Sequence, residues 1–85
     1  MKKPLYSLYD EVIFEFDDVN ETIECHGHVF VVDPNGTFEQ HEEPSYDIFV
    51  DNWKGSGEQT LVKHVRQSQI KTKITYENSV PRWQL

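Results

Sequence analysis

The stretch Gly-His-Val-Phe-Val-Val-Asp-Pro-Asn-Gly-Thr-Phe, from Gly27 to Phe38, constrains this chain more than any other. Val29, Phe30, Val31 and Val32 are its densest run of β-branched and aromatic residues, a composition suited to a pleated, buried ribbon. Asp33-Pro34-Asn35-Gly36 then stops the run. Pro34 presets φ for the first corner of a turn, and Asn35-Gly36 tolerates the positive φ of a reversal. The pattern predicts a hairpin, with Thr37 to Gln40 returning as a short arm.

The rest of the chain reads as further strands. Glu11 to Phe16 alternates with period two, placing Val12, Phe14 and Phe16 on one face and Glu11 and Glu15 on the other. Asp17 to Glu21 is a polar loop. The second strand covers Ile23 to Asp33 and carries apolar groups on both faces, Val29 and Val31 on one, Phe30 and Val32 on the other. A long strand that bends and serves two sheets explains that, with Gly27 as the site of the bend or bulge. Tyr46 to Asp51 is the third strand, with Tyr46, Ile48 and Val50 inward and Asp47, Phe49 and Asp51 outward. A glycine-rich hairpin loop around Trp53 leads to a fourth strand, Gln59 to Val65, whose facing the pattern leaves ambiguous. Arg66 to Gln69 fits a single 3₁₀ turn. Ile70 to Tyr76 alternates again, with Ile70, Thr72, Ile74 and Tyr76 on one face. Nowhere do 11 or more residues show helical periodicity. Short strands separated by Gly, Pro and Asn loops predict an all-β barrel or sandwich.

Size and composition bound the rest. The chain has 85 residues, 36% hydrophobic and 13% aromatic, which suits one small ring-rich core. Residues 1–9 read as a lead-in whose Leu5, Tyr6, Leu8 and Tyr9 pack across an open end of the core. Residues 10–76 read as the domain, and 77–85, with Trp83, as a tail. Cys25 is the single cysteine, so no internal disulfide or cysteine-based zinc site can form within one chain. Met1-Lys2-Lys3 is not followed by an apolar signal core, and no run approaches the roughly 18 apolar residues of a membrane span. The expectation is a cytoplasmic protein with no membrane partner.

Net charge is −7, which disfavours general binding to phosphate backbones. Residues 10–51 hold thirteen of the fifteen acids and no Lys or Arg, whereas residues 60–76 hold Lys63, Arg66, Lys71 and Lys73 and no acid. Two readings stand: a basic last strand lies beside an acidic early one and pairs with it, or the acidic stretch is a face that docks a basic partner or imitates DNA.

Chemistry-bearing clusters are few. His26 and His28 would share a strand face and present two imidazoles, but a metal site needs further ligands, from His41, His64 or a carboxylate, and no zinc-motif spacing is present. No metal and no other cofactor is expected. Cys25 lacks an electropositive setting that would favour a thiolate, and His26, next to it along a strand, points to the opposite face. The pairs Asp17-Asp18 and Glu42-Glu43 sit in loops where acids are solvated. The chain is therefore read as no enzyme. Phe49, Trp53 and Trp83 are the candidate exposed rings, and Phe49 and Trp53, flanked by the acids Asp47 and Asp51, are the candidate binding anchors. The other reading is that one or two of these rings close over the barrel end or the chain termini.

The order of these elements resembles an SH3-like small barrel: five strands, a polar loop at Asp17–Thr22, a bent second strand at Gly27, a hairpin at Asn52–Glu58 and a one-turn 3₁₀ link at Arg66–Gln69. Gly27-His28-Val29, Ser45-Tyr46-Asp47-Ile48 and Leu61-Val62-Lys63-His64-Val65 are also similar to segments of small proteins of Gram-positive bacteria and their prophages. Peptide-binding SH3 domains open on Ala-Leu-Tyr-Asp-Tyr and carry a Trp-Trp pair, both absent here, so proline-rich ligands are not implied. The resemblance implies a five-stranded SH3-like barrel and a protein-interaction module that binds a partner protein or its own copy. The alternatives are an acidic mimic of a nucleic-acid binder, a nucleic-acid contact through the basic last strand, and a metal-dependent enzyme.

Overall fold

The computed structural model describes residues 3–37 and 40–75. Phe38 and Glu39 of the expected return arm, Tyr76 at the end of the expected last strand, and the tail with Trp83 lie outside the described residues. Five strands follow in order: β1 (Glu11–Asp17), β2 (Thr22–Asp33), β3 (Ser45–Trp53), β4 (Glu58–Arg66) and, after a 3₁₀ turn at Gln67–Gln69, β5 (Ile70–Lys73). All neighbours run antiparallel, in the order β4-β3-β2-β1-β5. No α-helix occurs among the described residues, and none is therefore long and apolar enough to cross a membrane. The all-β expectation holds. Closure does not follow from it: β4 and β5 are the two edges of the sheet and are not paired with each other. β5 is only four residues long and is bonded to β1 alone.

β2 is the strand that shapes the molecule. Residues Thr22 to His28 pair with β1, whereas His28 to Asp33 pair with β3. The handover falls at His28, beside Gly27, where a Cβ would lie 2.3 Å from the Phe49 carbonyl oxygen and 2.8 Å from Ile48 Cγ2. Only glycine permits that approach of two backbones. Gly27 does stand where β2 changes partner, but within one five-stranded sheet rather than between two, and the register slip comes later. Val29 pairs with Ile48 and Val31 with Asp47, leaving Phe30 as the inserted residue of a bulge. A bulge turns two successive side chains to one side. Val29 is therefore buried and Val32 packs on the core, while Phe30 and Val31 are exposed. Strict alternation had put Val31 with Val29 and Phe30 with Val32, and the inserted residue is why it fails.

A second bulge settles the facing of β4. Tyr46 pairs with Val65 and Ile48 with Val62, so Lys63 and His64 together oppose Asp47. His64 takes φ 62, and its freed N–H is accepted by Asp47 Oδ1 at 3.0 Å. Val62 and Val65 are thereby both buried, three residues apart.

The turn after β2 forms as expected. The Gly36 N–H donates to Asp33 O at 3.2 Å, the Asn35 N–H to Asp33 Oδ1 at 3.1 Å, and Gly36 takes φ 72. Of the expected return arm, the described residues Thr37 and Gln40 make one isolated bridge with each other, and the strand that pairs with the end of β2 is β3. The last strand also ends early, at Lys73. Ile70 is buried, Thr72 is exposed and Ile74 is half-buried, because a register slip at Ile13/Phe14 interrupts the β1–β5 ladder.

The core joins Val12 and Phe14 of β1, Cys25 and Val29 of β2, Tyr46, Ile48 and Val50 of β3, Val62 and Val65 of β4, and Ile70. One end is strapped by the lead-in. Gln67 is buried and accepts the Leu5 N–H at 2.9 Å and the Tyr46 hydroxyl on Oε1, while its Nε2 donates to Lys3 O at 3.3 Å. The Gln67 N–H donates to Pro44 O at 3.0 Å, and Glu43 accepts both the N–H and the hydroxyl of Ser68. Tyr6 packs edge-on to Tyr46 with centroids 5.6 Å apart, as the lead-in expectation has it, whereas Leu5, Leu8 and Tyr9 remain exposed.

Candidate functional site

The outward faces of β2, β3 and β4 carry a continuous apolar stripe. Phe30, pushed out by its bulge, stacks on Phe49 with centroids 5.3 Å apart and planes 21° from parallel. Tyr9 stands edge-on to Phe30 at 6.2 Å. It is held there by a φ of 70 and by donation of its N–H to Val29 O at 2.7 Å. Leu61 is the register partner of Phe49 on the edge strand. Phe30 is 49% exposed, Leu61 40% and Tyr9 72%. Single exposed apolar residues are ordinary; these lie side by side, which makes the stripe the candidate surface.

Of the residues the sequence nominates, Phe49, Asp47 and Asp51 share this outward face, alternating with buried Tyr46, Ile48 and Val50. Asp47 has a structural task, since its carboxylate holds the His64 bulge. Asp51 is exposed. Trp53 is elsewhere. The register shifts between Val50 and Trp53, and the indole turns inward to meet Phe16 edge-on at 5.2 Å. Its other neighbour is Lys54, whose ammonium lies 5.7 Å from the ring centroid and bonds to Asp18. Trp53 thus packs against the core rather than standing free in the loop.

Sequence reasoning missed Tyr9, Phe30 and Leu61 as surface residues. The signal was present for Phe30 in the unbroken run Val29 to Val32, which one buried face cannot hold. Nothing local marks Leu61, because its facing depends on the bulge at His64.

His26 and His28 do share a face, with ring centroids 6.4 Å apart. His26 Nε2 is, however, engaged with the Glu11 carboxylate. No group of three or more His, Cys, Asp or Glu side chains is arranged to hold a metal among the described residues. Burial pushes the Cys25 thiol above its ordinary pKa of 9.0, the direction opposite to that of a nucleophilic thiolate.

The segregated charges largely meet each other. Lys71 on β5 bonds to Glu24 at 2.8 Å, which raises the lysine pKa, and Lys73 lies 3.6 Å from Asp10. Lys54 holds the Asp18 carboxyl below its usual range. Arg66 donates its Nε–H to Gln69 at 3.3 Å, and Lys63 is exposed on the edge strand. Such surface pairs add little stability, but they leave no continuous cationic track along β5.

Fold and surface together define the class: an all-β domain on one open antiparallel sheet, with an aromatic stripe facing out from its bent half. Comparison of the chain with protein-family models, curated proteins and solved structures finds no match in any of the three.

Proposed function

We propose that the chain is a non-enzymatic protein-interaction module of the cytoplasm that binds a partner protein through the Tyr9–Phe30–Phe49–Leu61 stripe. The observation that carries this reading is the ring of Phe30, half exposed and stacked flat on Phe49. Pre-stacked aromatic rings lose little conformational freedom on binding and supply most of the energy of small interfaces. Asp51 lies on the rim and favours a partner with basic residues around an apolar centre. An SH3-like architecture is supported by the bent β2, the strand order and the 3₁₀ turn before β5. A small bacterial or prophage protein is in keeping with the segments noted above, and a reducing compartment suits the unpaired Cys25.

The test is affinity capture with the full chain at low salt and at about 0.5 M salt, repeated with Phe30→Ser and Phe49→Ser. The expected result is one specific partner, held at both salt concentrations and lost with either variant, while the melting temperature moves by only a few degrees. A partner retained by both variants refutes the stripe. Capture of a basic protein that is released at the higher salt favours the second reading, an acidic mimic or antagonist of a nucleic-acid binder. That reading is supported by the net charge of −7 and by the pairing of Lys54, Lys71 and Lys73 to acids. The same pairing weighs against a nucleic-acid contact through β5.

A further inference from the structure

The change of partner along β2 leaves a second feature, which shares Asp51 with the rim of the aromatic stripe but none of its rings. If the β2–β3 register continued beyond His28↔Phe49, Gly27 would face Val50, His26 would face Asp51 and Cys25 would face Asn52. None of these pairs is made. Among the described residues, Thr22 to Gly27 have strand partners on β1 alone, while Val50 and Trp53 pair with β4 and Asp51 and Asn52, in a register shift, with no strand. Between these two half-paired edges lies a wedge-shaped cleft of ≈ 570 Å³. It is narrowest at Gly27, against the Phe49 carbonyl, and Glu21, Lys54 and Gly55 line its loop end. Ile23, Cys25 and Val50 bring apolar side chains to it, while His26, His28 and Asp51 supply its polar lining.

We infer that this wedge is a strand-addition site for an extended, cationic segment of a partner protein. Two open strand edges offer a row of backbone donors and acceptors that only another extended backbone can match. Five residues of β2 edge span on the order of 15 Å, long enough for four or five added residues. The charge selects the occupant. Lys54 bonds to Asp18 and is also felt by Glu21, and Glu24 is paired to Lys71, so the cleft's three carboxylates outnumber its one lysine, and neither Asp51 nor Glu21 has an ion pair within contact distance among the described residues. A Lys or Arg on the incoming strand neutralises them, and an acidic segment is repelled.

The probe is acetyl-Lys-Val-Lys-Val-Lys-Val-amide, titrated into the isotopically labelled full chain and followed by amide shifts. Shift changes are expected on Ile23 to Gly27 and Val50 to Lys54. Methylating alternate peptide nitrogens is expected to weaken binding at least about tenfold, because each lost N–H removes a ladder bond. The Asp51→Lys variant is expected to weaken it about tenfold, and the Glu-for-Lys peptide is expected not to bind. Phe30→Ser is expected to leave the affinity unchanged, which separates this site from the aromatic stripe. No binding, equal affinity for the N-methylated peptide, or shifts confined to the Phe30–Phe49 stripe would each overturn the inference.

Discussion

The two ends of the bent sheet solve the same problem in opposite ways. At the end formed by Tyr46, Pro44 and Gln67, the buried side-chain polar atoms are matched. Gln67 reaches Lys3, Leu5 and Tyr46, Glu43 caps Ser68, and no buried side-chain polar atom lacks a partner among the described residues. At the opposite corner, beyond Gly27, β2 and β3 part and their edges face a cleft. The difference is topological. The chain crosses from edge strand β4 to edge strand β5 over the first end, so it brings a 3₁₀ turn and its hydrogen-bonding groups there. Among the described residues no segment crosses the second end. Stability is concentrated where the chain returns, and binding capacity is left where it does not.

The sharpest way to break this contrast is at its pivot. Gly27→Ala places a Cβ against the backbone oxygen of Phe49, which cannot give way as a flexible side chain does. The expected loss is about 3 kcal/mol or more, measured by urea denaturation. A near-neutral result would mean that the two strands do not pass as closely as described.

The closed end is tested next. Tyr46→Phe removes a buried hydroxyl and leaves Gln67 Oε1 with the Leu5 N–H as its remaining donor. A loss of about 1–2 kcal/mol is expected. Faster hydrogen exchange should be confined to Leu5 and Gln67 rather than spread to the cleft.

A smaller effect appears in alkali, and it samples both ends. Burial raises the Tyr46 phenol above its ordinary 10.0 and the Cys25 thiol above 9.0. The unfolded chain therefore loses these protons first. Stability from each group is complete below its ordinary value and declines as pH rises towards the folded one. Melting temperature should be level near neutrality and fall above about pH 9, with Cys25→Ala flattening the earlier part of the decline and Tyr46→Phe the later part.

The least effect is expected at the exposed pair Asp18–Lys54. The Asp18 pKa is depressed by its bond to Lys54, so whatever it contributes is present above 3.8 and disappears as pH falls below it. Asp18→Asn should leave the neutral-pH melting temperature within repeat error, because exposed pairs are screened and entropically costly. A clear drop would show that the loops at the open corner are more tightly ordered than the contrast allows.

Strand identity was legible because it depends on local spacing. Val12, Phe14 and Phe16, or Tyr46, Ile48 and Val50, repeat with period two on stretches where the inserted residues fall on the partner strands, and alternation then reports burial faithfully. The 3₁₀ turn and the reversal at Asp33 to Gly36 were legible for the same reason, since four residues carry the whole signal. The candidate surface was legible only in part. Phe49 faces outward as its alternation requires, but Trp53 turns inward after a register shift, and Phe30 turns outward at a bulge.

By itself, the order of residues determined that this chain is built from strands, where each begins and turns, and that its acids and bases occupy separate stretches. The tertiary structure alone decided which side of β2 and β4 is buried, which end of the sheet is strapped, and that β4 and β5 stay apart as edges. The physical reason is that one inserted residue exchanges the faces of everything after it. Where the insertion falls is set by how two distant strands meet, as Gly27 meets Phe49, and not by the residues on either side of it.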